Sequence, residues 1–476
     1  MSSDWIILLP YILLAGGGLF IFCAGIARPK ASGLFFATAV ISVCAAGMSA
    51  FSFTPAGPGY QGMIDASAYA RFFVSLVCIV SLIALLFSFR YAALKGIAGD
   101  EYFALILFAA LGMALAACAL DWIVFFVGLE LLSVSFYILI GSAHEDPASN
   151  EAALKYFVMG SVASGFLVFG VALLFSATGS LDIARSLGKT VSGENMAVAL
   201  LGLGLIAAGM GFKVSLVPFH LWTPDVYQGA PAPITAFLST GSKAAMFAAL
   251  LRFSLNMSPE LFAYMTPFLW VIAALTMIVG NITALAQTHI KRLLAYSSIA
   301  QMGYVLMALL AVKSDGASAV MFYLSAYAVM DLGAFGAVAL LSRGDSDLDA
   351  IRDYRGLGFS HPWTSALLAV CLLSLAGLPP TAGFIGKIII FKSVLQAGFT
   401  VLAVIGIVTA IISVYFYLDV IVALFMRPEE VSPAAPYPGM LGAVLCACML
   451  ATVILLGIAP SPLLSLIAGI LHGFSI

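Results

Sequence analysis

The chain has 476 residues, of which 63% are hydrophobic and only 9% charged, with a formal net charge of -2. A mean hydropathy of +1.12 leaves too little polar surface to cover a soluble globule, so the chain reads as an all-α polytopic membrane protein. Its charges form no long acidic or basic block, which points away from nucleic acid and from a polybasic lipid anchor.

A spanning helix needs about 20 apolar residues, and that ruler predicts about 14 spans. They fall near 5–26, 34–53, 68–89, 102–120, 121–141, 152–177, 196–217, 231–254, 261–286, 293–312, 317–342, 361–395, 398–426 and 436–458. The first follows Met1-Ser-Ser-Asp4 without a basic stretch, so it is expected to remain as a span rather than be cleaved as a signal. Breakers separate the spans at Arg28-Pro29, Pro55 to Gly59, Gly96 to Asp100, Asp146-Pro147, Ser192-Gly193 and Arg343 to Ser360.

Cytoplasmic loops hold an excess of Lys and Arg. With both termini outside, those loops contain Arg28, Lys30, Arg90, Lys95, Lys291, Arg292, Arg343, Arg352, Arg355 and Arg427. The outer connections contain Arg71, Arg185, Lys189, Arg252 and Lys313.

Seven cysteines are scattered, with only Cys446 and Cys448 close together in an apolar run, and the five histidines make no cluster. Neither a disulfide frame nor a metal or iron–sulfur site is expected, and any electron carrier belongs in another chain. Gly202-x-Gly204-x-x-Ala207 faintly matches a dinucleotide fingerprint but lies within an apolar helix, where close helix packing is the expected role.

Charged residues nevertheless sit inside the spans: Glu130, Lys213, Lys243 and Lys387. Each costs roughly 2.5 to 3.5 kcal/mol at the bilayer centre, so such charges are kept where they pair or line a watery path. Snorkelling is an alternative for Lys387 and Lys392, and a helix-end ion pair with Glu151 is one for Lys155. Lys243 and Glu130 lie about 10 to 12 residues into their spans, near mid-membrane at about 1.5 Å per residue, where neither alternative serves.

Two spans look broken. In the seventh, Lys213-Val-Ser-Leu-Val-Pro218-Phe-His220 is followed by Trp222-Thr-Pro224-Asp225. In the twelfth, Gly377-Leu-Pro379-Pro380-Thr-Ala-Gly383 precedes Lys387. Proline removes a backbone donor and clashes with the turn before it, so carbonyls are exposed that need new partners. A matching pair of interrupted spans points to a transport site built from repeats, and with five spans in each repeat the second copy is inverted. The expected divisions are helices 1 to 3 in residues 1–101, a first repeat in 102–260, an inverted second repeat in 261–428, and helix 14 with a tail in 429–476.

Three runs carry a resemblance: Asn150-Glu-Ala-Ala-Leu-Lys155-Tyr-Phe; Lys213 through Pro218-Phe-His220-Leu-Trp-Thr-Pro-Asp225-Val-Tyr-Gln-Gly-Ala-Pro231; and Lys291-Arg-Leu-Leu-Ala-Tyr-Ser-Ser-Ile-Ala-Gln301. Over nearly its whole length the chain resembles the subunit N family of bacterial NADH:quinone oxidoreductase, respiratory complex I. Antiporter-like subunits L and M and the Mrp cation/proton antiporters share parts of these signatures. The resemblance implies 14 helices, inverted five-helix repeats, broken helices 7 and 12, and a hydrated line of charges.

On that resemblance Glu130, Lys213, Lys243 and Lys387 form a proton relay, with Lys155, His220, Asp225 and Asp331 supporting it. A Glu130–Lys213 pair would hold or release a proton according to whether it is closed. Lys243 would pass the proton toward Lys387 by way of water and His220. Asp331 departs from the pattern, since an uncharged polar residue is expected there; it is either an extra relay acid or a protonated or lysine-paired group.

The resemblance further implies no cofactor in this chain, and FMN, iron–sulfur clusters, NADH and quinone in partner subunits. The implied partners are the antiporter-like subunits M and L, the small subunits K, J, A and H, and membrane lipids, in a bacterial inner membrane. The other reading is a subunit of a secondary cation/proton antiporter of Mrp type, without redox coupling.

Overall fold

The structure, a computed structural model, describes residues 2–28, 31–52, 60–189, 193–342, 347–426 and 439–473. Pro29, Lys30, the 55–59 turn, Ser192, Arg343 and Arg427 lie outside the described residues. Helices make up nearly all of what is described, and no strand occurs among the described residues.

The helices α1 (Ser2–Ala27) and α2 (Ser32–Ser52) lead into α3 (Ala68–Leu94), α4 (Asp100–Cys118) and α5 (Trp122–Ile140). Next come α6 (Pro147–Thr178), a short α7 (Ile183–Gly188) and α8 (Glu194–Lys213). Beyond a break, α9 (Trp222–Gly229) and α10 (Ala232–Phe237) run through a π-helical turn, Leu238–Ser242, into α11 (Lys243–Asn256). Then follow α12 (Pro259–Ala284), α13 (Ile290–Leu310) and α14 (Ala317–Leu341). A short α15 (Leu357–Ser360) precedes α16 (Pro362–Ala376) and α17 (Ala382–Gln396), and α18 (Thr400–Met426), α19 (Gly439–Ile458) and α20 (Ser461–His472) complete the chain.

Local chemistry explains many of these ends. Asp121, Asp146 and Ser258 cap α5, α6 and α12 by accepting from the backbone amides of Ile123, Ala148 and Leu261, and Pro147 and Pro259 occupy first helical positions. Gly377 stops α16 in the left-handed region (φ 85°), where a side chain would be strained.

Thirteen helical stretches among the described residues are long and apolar enough to cross a membrane. The remaining expected span, 361–395, is built from α16 and α17 in series, each too short to cross alone. The expected eighth span is not plain helix, because the π-helical turn sits immediately before Lys243. The short α20 lies beyond the last expected span.

Several basic residues counted with the connections lie within helices: Arg71 and Arg90 in α3, Arg252 in α11, and Lys291 and Arg292 in α13. Arg252 is in α11, 3% exposed, with Nη2 2.6 Å from Asp65 Oδ2. Lys291 is in the first turn of α13, 4% exposed, and 3.1 Å from Asp347. For Arg252 and Lys291 the acid comes from a distant stretch of chain, and the pair makes burial tolerable.

Burial is uneven. In the α10–α11 stretch and in α13, 94% of the apolar window is buried inside the protein, and in α14 83%, against 33% in α6. Those three stretches therefore form a central column, and they carry Lys243, Ser298 and Asp331. Close approach holds neighbouring helices together: a Cβ on Gly202 of α8 would meet the Gly170 carbonyl oxygen of α6 at 2.8 Å, whereas one on Gly204 would meet nothing within 4 Å. Gly202 is thus a packing residue, the role expected from the sequence.

Candidate functional site

The broken seventh span ends its first half at Lys213 itself. Its loosened backbone is satisfied from outside the helix: the Trp222 indole donates to the Phe212 carbonyl at 2.9 Å, and the Val217 amide donates to Thr276 Oγ1 at 3.0 Å. Lys213 is 3% exposed, and its ammonium donates to Ser133 Oγ at 2.7 Å while lying 5.5 Å from the centre of the Tyr156 ring. Ser133 is three residues beyond Glu130 on α5, so both share a face. Glu130 accepts a hydrogen bond from Ser164 of α6. No ion pair joins Glu130 to Lys213 among the described residues; the Lys213 ammonium meets Ser133.

Lys243 is fully buried. Its ammonium donates to Ser298 Oγ of α13 at 2.5 Å, and Ser298 shares a 2.6 Å hydrogen bond with the Tyr327 hydroxyl of α14. Asp331, also fully buried, lies one turn beyond Tyr327, and its Oδ2 accepts from Ser239 in the π-helical turn. Ser298 and Tyr327 thereby stand between Lys243 and the stretch of α14 that carries Asp331. The charge that the sequence left unexplained therefore belongs to the Lys243 centre.

Lys387 is 4% exposed and reaches back across the second break. Its ammonium donates to the carbonyl oxygens of Leu375 at 2.8 Å and Ala376 at 3.0 Å, the loose end of α16 created by Pro379 and Pro380. Gln301 of α13 also donates to the Leu375 oxygen, at 3.1 Å, and to Tyr417 at 3.2 Å; Tyr417 in turn bonds Ser297. Ser297 and Ser298 are adjacent on α13, so this one helix touches both the Lys243 and the Lys387 centres.

His220 is buried at the first break, beside Pro218, yet no hydrogen bond joins it to Lys243 or Lys387 among the described residues, and its Nδ1 has no partner. In the place expected for it stand Ser297, Ser298 and Gln301. These were within the Tyr296-Ser-Ser-Ile-Ala-Gln301 run, and their three- and four-residue spacing on α13 was the available signal.

Lys155 and Asp225 belong to a different place, a polar crevice at one end of the bundle. Lys155 Nζ is 2.7 Å from both Glu151 and Asp225, and Asp225 is also 2.7 Å from Arg292. Beside them Asp347 meets Lys291 at 3.1 Å and Lys95 at 3.2 Å and accepts from Tyr91 and Ser342. Burial alone would raise the Asp347 carboxyl; Lys291 and Lys95 instead hold it well below the usual carboxylate range. No group of three or more His, Cys, Asp or Glu able to hold a metal occurs among the described residues.

Residues 119–413 match the family model described as NADH:quinone oxidoreductase/Mrp antiporter, TM. The chain is 48% identical to NADH-quinone oxidoreductase subunit N 1 of Solidesulfovibrio magneticus, over 99% of this chain and 100% of that one. The chain belongs to the NADH-quinone oxidoreductase subunit N family. Subunit N of Geobacter metallireducens, a further member, is 43% identical over 98% of each chain.

Among solved structures, a chain of respiratory complex I from Thermus thermophilus with bound aureothin shares 34% of residues with a TM-score of 0.82, over 96% of this chain and 98% of that one. A chain of the Mrp complex from Dietzia sp., at 21% identity and a TM-score of 0.81 over 99% of this chain and 97% of that one, shares the fold. As a subunit N family member, the protein is a multi-span membrane subunit of a respiratory oxidoreductase complex.

Proposed function

We propose that this chain carries protons across the membrane through the Glu130–Lys213, Lys243 and Lys387 centres, driven by quinone reduction in other subunits. The observation that carries the reading is the set of three buried lysines, each held by hydroxyl or carbonyl oxygens, with α13 contacting two of the three centres. A buried ammonium with few acceptors gives up its proton more readily than one in water, and hydroxyls beside it both accept and donate. Moving one charge against 100 mV costs about 2.3 kcal/mol, so the drive has to come from outside this chain.

In this reading residues 102–260 and 261–428 are inverted five-helix units, with 1–101 and 429–476 flanking them. The chain sits in a bacterial inner membrane with both termini on the outer face, which turns the Lys155–Asp225–Arg292 crevice toward the cytoplasm for proton uptake. FMN, iron–sulfur clusters and the NADH and quinone sites are in partner subunits. Its neighbours are the antiporter-like M and L subunits and the small subunits K, J, A and H. Family membership favours this over an antiporter without redox coupling, for which the Mrp likeness supplies the fold alone.

The test is quinone-coupled proton pumping by the assembled complex in proteoliposomes. Lys213→Ala and Glu130→Ala are expected to lose most pumping while the other subunits keep their cofactors. Wild-type pumping in both variants at normal assembly sinks the relay.

A further inference from the structure

The Lys213 and Lys243 centres are built alike. In the first, the lysine donates to one serine, Ser133, and the carboxylate of Glu130 accepts from another, Ser164. In the second, the lysine donates to Ser298, and the carboxylate of Asp331 accepts from Ser239. The Lys387 centre has no such carboxylate, since its lysine is held by main-chain oxygens.

The second centre differs from the first in two respects. Both of its charged groups are fully buried, whereas Glu130 is only partly covered in the chain. It also has a hydroxyl path, because Ser298 bonds Tyr327, which is four residues before Asp331 on α14 and faces its carboxylate. Asp331 Oδ1 and the Tyr227 hydroxyl are buried without hydrogen-bond partners, and Lys243 Nζ lies 5.4 Å from the centre of the Tyr227 ring. A fully buried carboxylate with one open acceptor atom is costly unless a nearby cation or a proton compensates it. Lys243 is the cation that faces it.

We propose that Asp331 is the proton-exchange partner of Lys243, so that the central station of the relay is a carboxylate–lysine couple rather than a lone lysine. The inference rests on the relay reading above. A proton leaves Nζ for Ser298 Oγ, the Ser298 hydroxyl proton passes to the Tyr327 oxygen, and the Tyr327 hydroxyl proton passes to the Asp331 carboxylate. The ammonium becomes an amine, the carboxylate becomes an acid, and both hydroxyls are regenerated. No net charge appears in the membrane centre during the exchange. A proton arriving from Lys213 then adds one charge to a neutral couple, where a lone lysine would face that charge with no counter-ion.

The experiment uses the whole complex in proteoliposomes carrying Asp331→Asn, Ser298→Ala or Lys243→Ala, with quinone reductase rate, assembly and pumped protons per NADH measured together. Asp331→Asn preserves shape and is expected to cut pumping by about a hundredfold or more at normal assembly, the low end of what a placed proton-transfer group supplies. Ser298→Ala leaves both charges in place and is expected to lose pumping comparably, which a role of Asp331 in packing alone would not produce. Infrared difference spectra on reduction should show a carboxylic-acid band that Asp331→Asn removes. Wild-type pumping in Asp331→Asn, or an unchanged infrared spectrum, overturns the couple. If Lys243→Ala and Lys213→Ala still abolish pumping in that case, the relay stands without Asp331; if they too pump normally, the relay reading itself fails. Should Asp331→Asn not assemble, Ser298→Ala and the wild-type infrared band decide the matter.

Discussion

Lys387 and Ala376 face each other across the second break, the ammonium donating to the Ala376 carbonyl oxygen at 3.0 Å while also serving Leu375 at 2.8 Å. A cation therefore stands at the C-terminal end of α16, where the helix dipole is negative and the carbonyls lack intrahelical donors. Gly377 makes room for it: a Cβ there would lie 2.8 Å from Lys387 Cδ. One residue closes a half-helix and, in the proposed relay, also holds the proton that is passed on.

Those two roles separate on substitution. Lys387→Met leaves the Ala376 carbonyl without a donor, while Leu375 keeps Gln301, and is expected to cost about 1 to 3 kcal/mol of stability as well as pumping. Lys387→Arg keeps donors and charge but cannot release its proton, so it should melt near wild type and still fail to pump. Melting temperature and pumping, measured on the same preparation, check both outcomes; a pumping arginine variant argues against proton release at this position.

The crevice predicts a graded response. Glu151 and Lys155 are both well exposed, and such a pair contributes little, so Glu151→Gln should leave pumping within about twofold of wild type. Asp225 is shared by Lys155 and Arg292 and thereby joins α6, α9 and α13. Asp225→Asn should slow pumping more than Glu151→Gln does, most strongly at low ionic strength. Initial rates across a salt series check the order.

Asp347 makes stability depend on acid. Its carboxyl is held below its ordinary value, so the stabilisation it gives is fully present above roughly pH 4 and is lost as pH falls toward the depressed folded value. Asp347→Asn leaves Lys291 and Lys95 facing a neutral group. It should destabilise the protein by on the order of 3 kcal/mol at pH 7 and flatten the acid limb of a melting-temperature profile. An unchanged acid limb argues against Asp347 as its source.

Packing gives a last prediction. Gly202→Val sets a side chain against the α6 backbone and should prevent stable accumulation, while Gly204→Val, which points into open space, should not. Membrane levels of the two variants check this.

Much of this was legible in the chain. The period of apolar runs located the spans, because a bilayer imposes one length on every crossing. The Pro218 and Pro379-Pro380 clusters marked both breaks, because a proline in a helix interior removes a backbone donor and clashes with the turn before it. The cost of an isolated charge in lipid singled out Glu130, Lys213, Lys243 and Lys387 without reference to any neighbour.

What each of those charges meets was decided by the tertiary structure alone. Ser133, Ser298 and Gln301 are ordinary polar residues until folding sets them beside a lysine, and Asp331 is 88 positions from Lys243 by their numbers, in a different helix. His220 was expected as a bridge toward Lys387, whereas among the described residues the side chains that reach both the Lys243 and Lys387 centres belong to α13. Desolvation is a property of one residue in a membrane and can be read locally, whereas a hydrogen bond needs two groups within about 3 Å, and only the packing of distant helices fixes that distance.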